Sequence, residues 1–214
     1  MKKAGVAVAN PSLHKCFSCD NNLLNKEIIC NYCAAINDGD YNFFDILSLD
    51  VAFNLNNEEI EKNYLRLQKQ VHPDNYSTKS KREQETAFKY SSLANEAYHI
   101  LKNRRLRGEY ILALSGIRVN SDRDNVLPPQ ELLREIFATR DHVQDAGNLT
   151  ELMTISQENE KSLQKTFDDV SLYFQQNSLN HAASSLIKAR YLEKIKEEIN
   201  LKTRILQNES NPNH

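Results

Sequence analysis

The sequence predicts an all-α protein: a helical hairpin and a C-terminal three-helix bundle, preceded by a small metal-binding knuckle. Three observations carry this. Only five Gly and five Pro punctuate 214 residues, and the apolar residues recur mostly at intervals of three and four, the period of one helix face. The four cysteines all lie between Cys16 and Cys33, which suits a metal site better than a secreted disulfide framework. The formal net charge is −2, which argues against bulk attraction to nucleic acid or to a membrane surface. No apolar run approaches the roughly 18 residues of a membrane span.

Residues 1–15 carry Lys2, Lys3, His14 and Lys15 and no acidic residue. Val6 to Ala9 is too short an apolar centre for a secretory signal. An acid-poor organelle-targeting leader and an ordinary disordered terminus both stay open. In residues 16–38, Cys16-x-x-Cys19 is followed after ten residues by Cys30-x-x-Cys33. Each pair bends a turn that aims two thiolates at one ion, and four thiolates complete a tetrahedron suited to zinc. So small a segment draws most of its folding free energy from the ion, with Ile28 and Ile29 packed behind the second turn. Four cysteines leave no open coordination position, which points to one structural zinc; a redox-active dithiol and an iron site are the rivals.

Residues 39–118 form the next unit. Gly39 and Asp40 break from the knuckle, and Phe43, Phe44 and Leu47 fit a short helix that caps a core. In the first long helix, Ile60, Tyr64, Leu67 and Val71 share one face, while Lys62, Arg66 and Lys69 make a basic stripe on the other. Asn56, three residues before Glu59, supplies an N-terminal cap. Pro73 disfavours helical geometry at His72 and Asp74 favours a turn, so the helix stops there. After a polar loop from Asn75 to Arg82, a second helix from about Glu83 to Leu101 places Ala87, Tyr90, Ala94, Ala97 and Leu101 on one stripe. An antiparallel hairpin follows, with His72, Pro73 and Asp74 exposed at its tip.

This basic helix, the His-Pro-Asp tripeptide, the opening aromatic phrase and the run Asn95-Glu96-Ala97-Tyr98 resemble a DnaJ-type J-domain, which triggers ATP hydrolysis in heat-shock chaperones. Beyond it, Arg107-Gly108-Glu109-Tyr110-Ile111-Leu112-Ala113-Leu114-Ser115-Gly116 is similar to the "Arg-Ala-Glu-Tyr-Leu-Leu-x-Leu-x-Gly" phrase of the HscB family, J-proteins dedicated to iron–sulfur cluster assembly. Asn75 stands where a Lys is common, and Tyr76 replaces the usual Phe.

Residues 119–127 are polar and read as a linker. In residues 128–206, Pro128 and Pro129 suit the first turn of a helix, whose apolar side is Leu132, Leu133, Ile136, Phe137 and Val143, ending near Gly147. A second helix from about Leu149 to Gln176 carries Leu152, Ile155, Leu163, Phe167, Val170 and Phe174, and Asn177 and Ser178 break it. A third, from about Asn180 to Leu206, carries Ala182, Leu186, Ala189, Leu192, Ile195 and Ile199. Short connections between three such helices predict a bundle. Residues 207–214 read as a disordered tail.

The HscB resemblance implies the rest. In that family the bundle binds the IscU-type scaffold on which clusters are built. Matching Leu133-x-Glu135-Ile136-Phe137 and Arg190-Tyr191-Leu192 to the family's phrases puts the scaffold patch at Leu133, Ile136, Phe137, Asp141 and Tyr191. Arg134 and Ala138 depart from the pattern, and burial of Leu133, Ile136 and Phe137 in the bundle core is the competing reading. Chaperone contact falls to His72, Pro73, Asp74, Lys62, Arg66 and Lys69, and the metal to Cys16, Cys19, Cys30 and Cys33. The implied partners are a DnaK/HscA-type chaperone and the scaffold, with recipient iron–sulfur proteins as further candidates. The four-cysteine knuckle resembles the eukaryotic form, which implies the mitochondrial matrix and leaves a cytosolic pool open. No catalytic constellation accompanies His72. A general J-protein for unfolded clients and a zinc-dependent nucleic-acid-binding or redox protein are the alternatives.

Overall fold

The computed structural model describes residues 14–23, 28–119 and 129–209. The leader reading at residues 1–13, the linker at 120–127, Pro128 and the tail from 210 lie outside the described residues. Among those described, the chain forms two compact units. One holds the residues up to Val51 with Leu55–Lys102, and the other holds Ala52–Asn54 with the residues from Asn103 onward.

In the first unit, β1 (His14–Lys15) pairs antiparallel with β2 (Asn22–Leu23), and Ile29 bridges Ile36. These short pairings hold the cysteine turns, with Leu23 buried beside Cys16 and Cys30. The otherwise helical expectation contains no strands here, because two residues are too few to show a period of two. α1 (Phe43–Ile46) opens on a capping box: the Asp45 amide donates to Asn42 Oδ1 at 3.0 Å and the Asn42 amide to Asp45 Oδ2 at 3.2 Å. α2 (Asn57–Val71) is capped by Asn56, which accepts from the Glu58 amide at 2.8 Å.

α3 (Lys81–Lys102) starts two residues before the expected Glu83. Ser80 and Glu83 form a reciprocal cap there, with the Ser80 amide donating to Glu83 Oε2 at 3.0 Å and the Glu83 amide to Ser80 Oγ at 3.4 Å. Its stripe of Ala87, Tyr90, Ala94, Ala97 and Leu101 is fully buried, and the small alanines let α2 approach. On α2 the buried face is Ile60, Asn63, Leu67 and Val71. Tyr64, expected on that face, is half-buried: its ring stacks on Tyr98 at 4.2 Å and its hydroxyl donates to Asn95 Oδ1 at 2.9 Å.

The second unit contains α4 (Arg104–Leu114), α5 (Gln130–Asp145), α6 (Leu149–Gln175) and α7 (Leu179–Glu209). Sequence reasoning places α4 with the J-like segment, but it is grouped with the bundle, packed on α7 and α6. A charged cluster secures it: Glu109 Oε1 accepts from Arg105 at 2.9 Å and from Arg190 at 3.2 Å, and Arg105 reaches Glu193 at 2.5 Å. Arg107 lies 2% exposed against Phe53, and burial, with Arg104 nearby, pulls its pKa down to about 10. Asn148 caps α6 by accepting from the Glu151 amide at 3.0 Å. Asn177, at φ 55°, provides the left-handed turn between α6 and α7. Ala182, Leu186, Ala189, Leu192, Ile195 and Ile199 are buried as expected, and helix continues through Glu209, three residues into the stretch read as a tail. No helix among the described residues is long and apolar enough to cross a membrane.

Candidate functional site

Three groups of residues carry chemistry. The first is the cysteine knuckle, where the four Sγ atoms lie within 4.8 Å of one another. Cys16 and Cys33 are 3.5 Å apart and Cys19 and Cys30 3.7 Å. Sulfurs about 2.3 Å from a central ion define a tetrahedron with edges of roughly 3.8 Å, so the set fits one thiolate-bound cation. The two turns repeat each other. The amides of Ser18 and Tyr32 each point at the preceding cysteine sulfur from 3.4 Å. Asp20 and Ala34, each four residues past its cysteine, both adopt positive φ, at 56° and 60°. Hydrogen bonds from Asn21, backbone first and side chain second, draw the Cys19 thiol down to about 6. At Cys33 a bond from the Ala35 backbone also lowers the pKa, but desolvation and the neighbouring thiols outweigh it and push it up to about 11. Ligation of a dication would favour the thiolate form of the sulfurs that hold it.

Asn37, which sequence reasoning missed, is 4% exposed and joins the two turns. Its Oδ1 accepts from the Phe17 amide at 3.3 Å, and its Nδ2 donates to the Ala35 carbonyl at 3.2 Å. The next residue, Asp38, faces α3: its Oδ1 accepts from Lys89 at 2.6 Å and from the Tyr90 hydroxyl at 3.2 Å, and that hydroxyl accepts from the Gly39 amide at 3.1 Å. The Arg82 guanidinium lies 5.0 Å above the Phe17 ring.

The second group is the turn after α2. Lys62, Arg66 and Lys69 are exposed on one side of that helix, with Leu65, 57% exposed, among them. His72 ends the helix in an extended conformation, as a residue before proline should. Pro73–Tyr76 make one 3-10 turn. His72 Nδ1 accepts from the Asp74 amide at 3.3 Å, and the two side chains are 56% and 88% exposed.

The third group lies between α5 and α7, in a groove of about 510 Å³ lined by Ile136, Arg140, Tyr191, Glu198 and Leu201 among others. Arg140 holds Glu198 in a two-pronged pair, at 2.7 Å and 3.0 Å. Of the five residues assigned to a scaffold patch, Phe137 is 58% exposed. Asp141 is exposed, and Leu133 and Tyr191 are half-buried. Ile136 is only 4% exposed and belongs to the bundle core. Leu201, 61% exposed, was not selected from sequence. It shares a face with Tyr191, Lys194 and Glu198 at spacings of three, four and three, so the signal was there.

Residues 42–110 match the DnaJ domain family, and residues 128–200 match the HSCB C-terminal oligomerisation domain. The chain is 32% identical to the co-chaperone protein HscB of Proteus mirabilis, over 73% of this chain and 92% of that one. It is also 32% identical to the human iron–sulfur cluster co-chaperone protein HscB, over 81% of this chain and 74% of that one. The crystal structure of human co-chaperone protein HscB superposes with a TM-score of 0.79 at 28% identity, covering 90% of this chain and 100% of that one. HscB from Vibrio cholerae, at 24% identity, shares the fold with a TM-score of 0.70 over 78% of this chain and 99% of that one. An exposed His-Pro-Asp turn on a basic helix, a helical bundle and matches over both segments lead to one conclusion: the chain belongs to the HscB family of J-domain co-chaperones.

Proposed function

We propose that this chain brings an IscU-type iron–sulfur scaffold protein to a DnaK/HscA-type heat-shock chaperone and accelerates that chaperone's ATP hydrolysis, promoting cluster transfer to recipient proteins. The exposed His72-Pro73-Asp74 turn, at the end of the helix that bears Lys62, Arg66 and Lys69, carries the reading. Three cations on one exposed face favour a fast, salt-sensitive encounter with an acidic surface. His72, Pro73 and Asp74 then bias the chaperone towards its hydrolysing state, which requires that they bind that state better than the other. The α5–α7 groove and the neighbouring Leu133, Phe137 and Asp141 are the surface for the scaffold, with Tyr191 and Leu201 as apolar contacts. A scaffold held there reaches the chaperone at the same time as the turn, which raises its effective concentration.

The chain accelerates another protein's chemistry and catalyses none of its own. One zinc ion held by Cys16, Cys19, Cys30 and Cys33 supplies folding free energy to the knuckle. The names of the human and mouse relatives specify iron–sulfur cluster work, and the four-cysteine knuckle resembles the eukaryotic form, which supports the mitochondrial matrix as the place of action. The test is chaperone ATPase activity with this chain, with and without the scaffold, beside His72→Gln. Synergy between chain and scaffold, lost in His72→Gln, is the expected result. Stimulation indifferent to the scaffold would make it a general co-chaperone, and none at all would sink the proposal.

A further inference from the structure

The last four carbonyls of a helix have no partner within it. The usual remedy folds the chain back so that the amide after the C-cap bonds the carbonyl two residues inside the helix, and the next amide bonds the carbonyl three inside. At the end of α2 those carbonyls belong to Gln70 and Lys69. Neither amide reaches them. Pro73 has no N–H, and the Asp74 amide is turned onto His72 Nδ1 at 3.3 Å.

Two side chains fill the vacancy. Asn75 Nδ2 donates to the Lys69 carbonyl at 2.9 Å, and the Tyr76 hydroxyl donates to the Gln70 carbonyl at 3.2 Å. Burial, with Glu83 nearby, raises the Tyr76 pKa, so the phenol keeps its proton to donate. From α3, Gln84 Nε2 donates to the carbonyls of Ser77 and Lys79 at 3.3 Å and 2.9 Å, holding the far end of the same loop. Packing contributes little at the tip, since the His72 and Asp74 side chains are 56% and 88% exposed.

We infer that Asn75 and Tyr76 are positioning residues: their side chains stand in for the missing backbone cap of α2 and so hold the His72-Pro73-Asp74 turn in the one arrangement it presents to the chaperone. The inference rests on the reading of that turn as the chaperone-activating element. It divides the work within α2. Lys62, Arg66 and Lys69 govern how tightly the chaperone is met whichever arrangement the turn holds, and the cap governs what fraction of the bound turns can trigger hydrolysis.

The test uses the full chain with Asn75→Leu, which keeps the size and loses the donor, Tyr76→Phe, which loses only the hydroxyl, and the double variant. Two readouts are taken. In the ATPase titration the double variant is expected to lower maximal stimulation about tenfold, the combined effect of two hydrogen bonds, at an unchanged half-saturating concentration. A general loss of structure would move both. In the free protein, exchange of the Asp74 amide is expected to quicken several-fold in the double variant, with Tyr76→Phe alone milder. Unchanged maximal stimulation, or unchanged Asp74 exchange, overturns the inference. A wild-type chain that stimulates no chaperone overturns the underlying reading, and the two failures are told apart because the exchange measurement needs no chaperone.

Discussion

A Cβ placed on Gly108 would lie 2.8 Å from Leu186 Cδ2 and 3.1 Å from the Phe53 ring. α4 therefore approaches α7 as closely as it does because this position has no side chain, and Leu186, fully buried, fills the space. Gly108→Val is expected to destabilise the protein by about 1–3 kcal/mol through overpacking. Leu186→Ala should cost about 2–5 kcal/mol alone and distinctly less in a Gly108→Ala background, where the added methyl occupies part of the void. Urea unfolding of the four proteins in this cycle measures the coupling. Strict additivity would show that the two sites do not share that space.

Ile136 and Phe137 are neighbours in sequence with opposite environments, at 4% and 58% exposure. Ile136→Ala should cost about 2–5 kcal/mol of stability. Phe137→Ala should change stability by less than about 0.5 kcal/mol and weaken scaffold binding by about tenfold or more. Calorimetric titration beside thermal melts separates the two effects. A Phe137→Ala chain that binds the scaffold normally would remove that residue from the proposed surface.

Asp38 links pH to the attachment of the knuckle. The hydrogen bond from Lys89, ahead of its charge and the Tyr90 hydroxyl, holds the Asp38 carboxyl below its usual range. A carboxyl with a depressed folded pKa contributes stability that is complete above its unfolded value of about 3.9 and disappears as pH falls through the lowered folded value. The Asp38 side chain is 60% exposed, so the term is screened to about 0–1 kcal/mol. Asp38→Asn should thus be slightly less stable than wild type at pH 7, and the gap should close below about pH 4. Urea midpoints at stepped pH test this, and a gap that widened in acid would contradict the assignment.

Removal of the metal should act locally. Cys30→Ser, or treatment with a strong chelator, is expected to abolish the binding of one ion per chain and to expose the amides of Ser18 and Tyr32, which point at cysteine sulfurs. Protection of the buried α7 positions Leu186 and Ile195 should remain. Metal analysis with hydrogen exchange reads both. Loss of protection throughout α7 would mean that the ion supports far more than the knuckle.

How far the chain could be read in advance depends on which force holds each part. The α3 stripe was legible to the residue, because Ala87, Tyr90, Ala94, Ala97 and Leu101 are buried by a purely periodic apolar pattern. On α2 the same approach chose Tyr64 over Asn63, since an amide on the inner face gives no hydrophobic signal; Asn63 Nδ2 reaches the Ser48 carbonyl at 3.5 Å. The grouping of α4 with the bundle was hidden for a related reason. Its buried positions include Arg107 and Glu109, and the charge of Glu109 is met in part by Arg190, far along the chain. Of the candidate site, the cysteine set followed from its spacing, and the exposed turn from Pro73 and Asp74 at the end of a periodic helix. Asn37, Asn75 and Tyr76 did not, because hydrogen bonds to backbone carbonyls and amides leave no periodic trace.

Asn37 and Asp38 stand side by side and turn opposite ways, one into the cysteine turns and the other onto α3. The hand-over from cysteine cluster to helical hairpin along the chain therefore falls at a single peptide bond. In evolutionary terms this makes the knuckle a cassette. A lineage could discard everything through Asn37 and forfeit the stacking of Arg82 on Phe17, while Asp38, Lys89, Tyr90 and Gly39 kept their mutual bonds. Among the described residues, the Arg82 contact ties the cysteine turns to α3 through Phe17, so those turns can come or go with little redesign of the hairpin that carries the His-Pro-Asp turn.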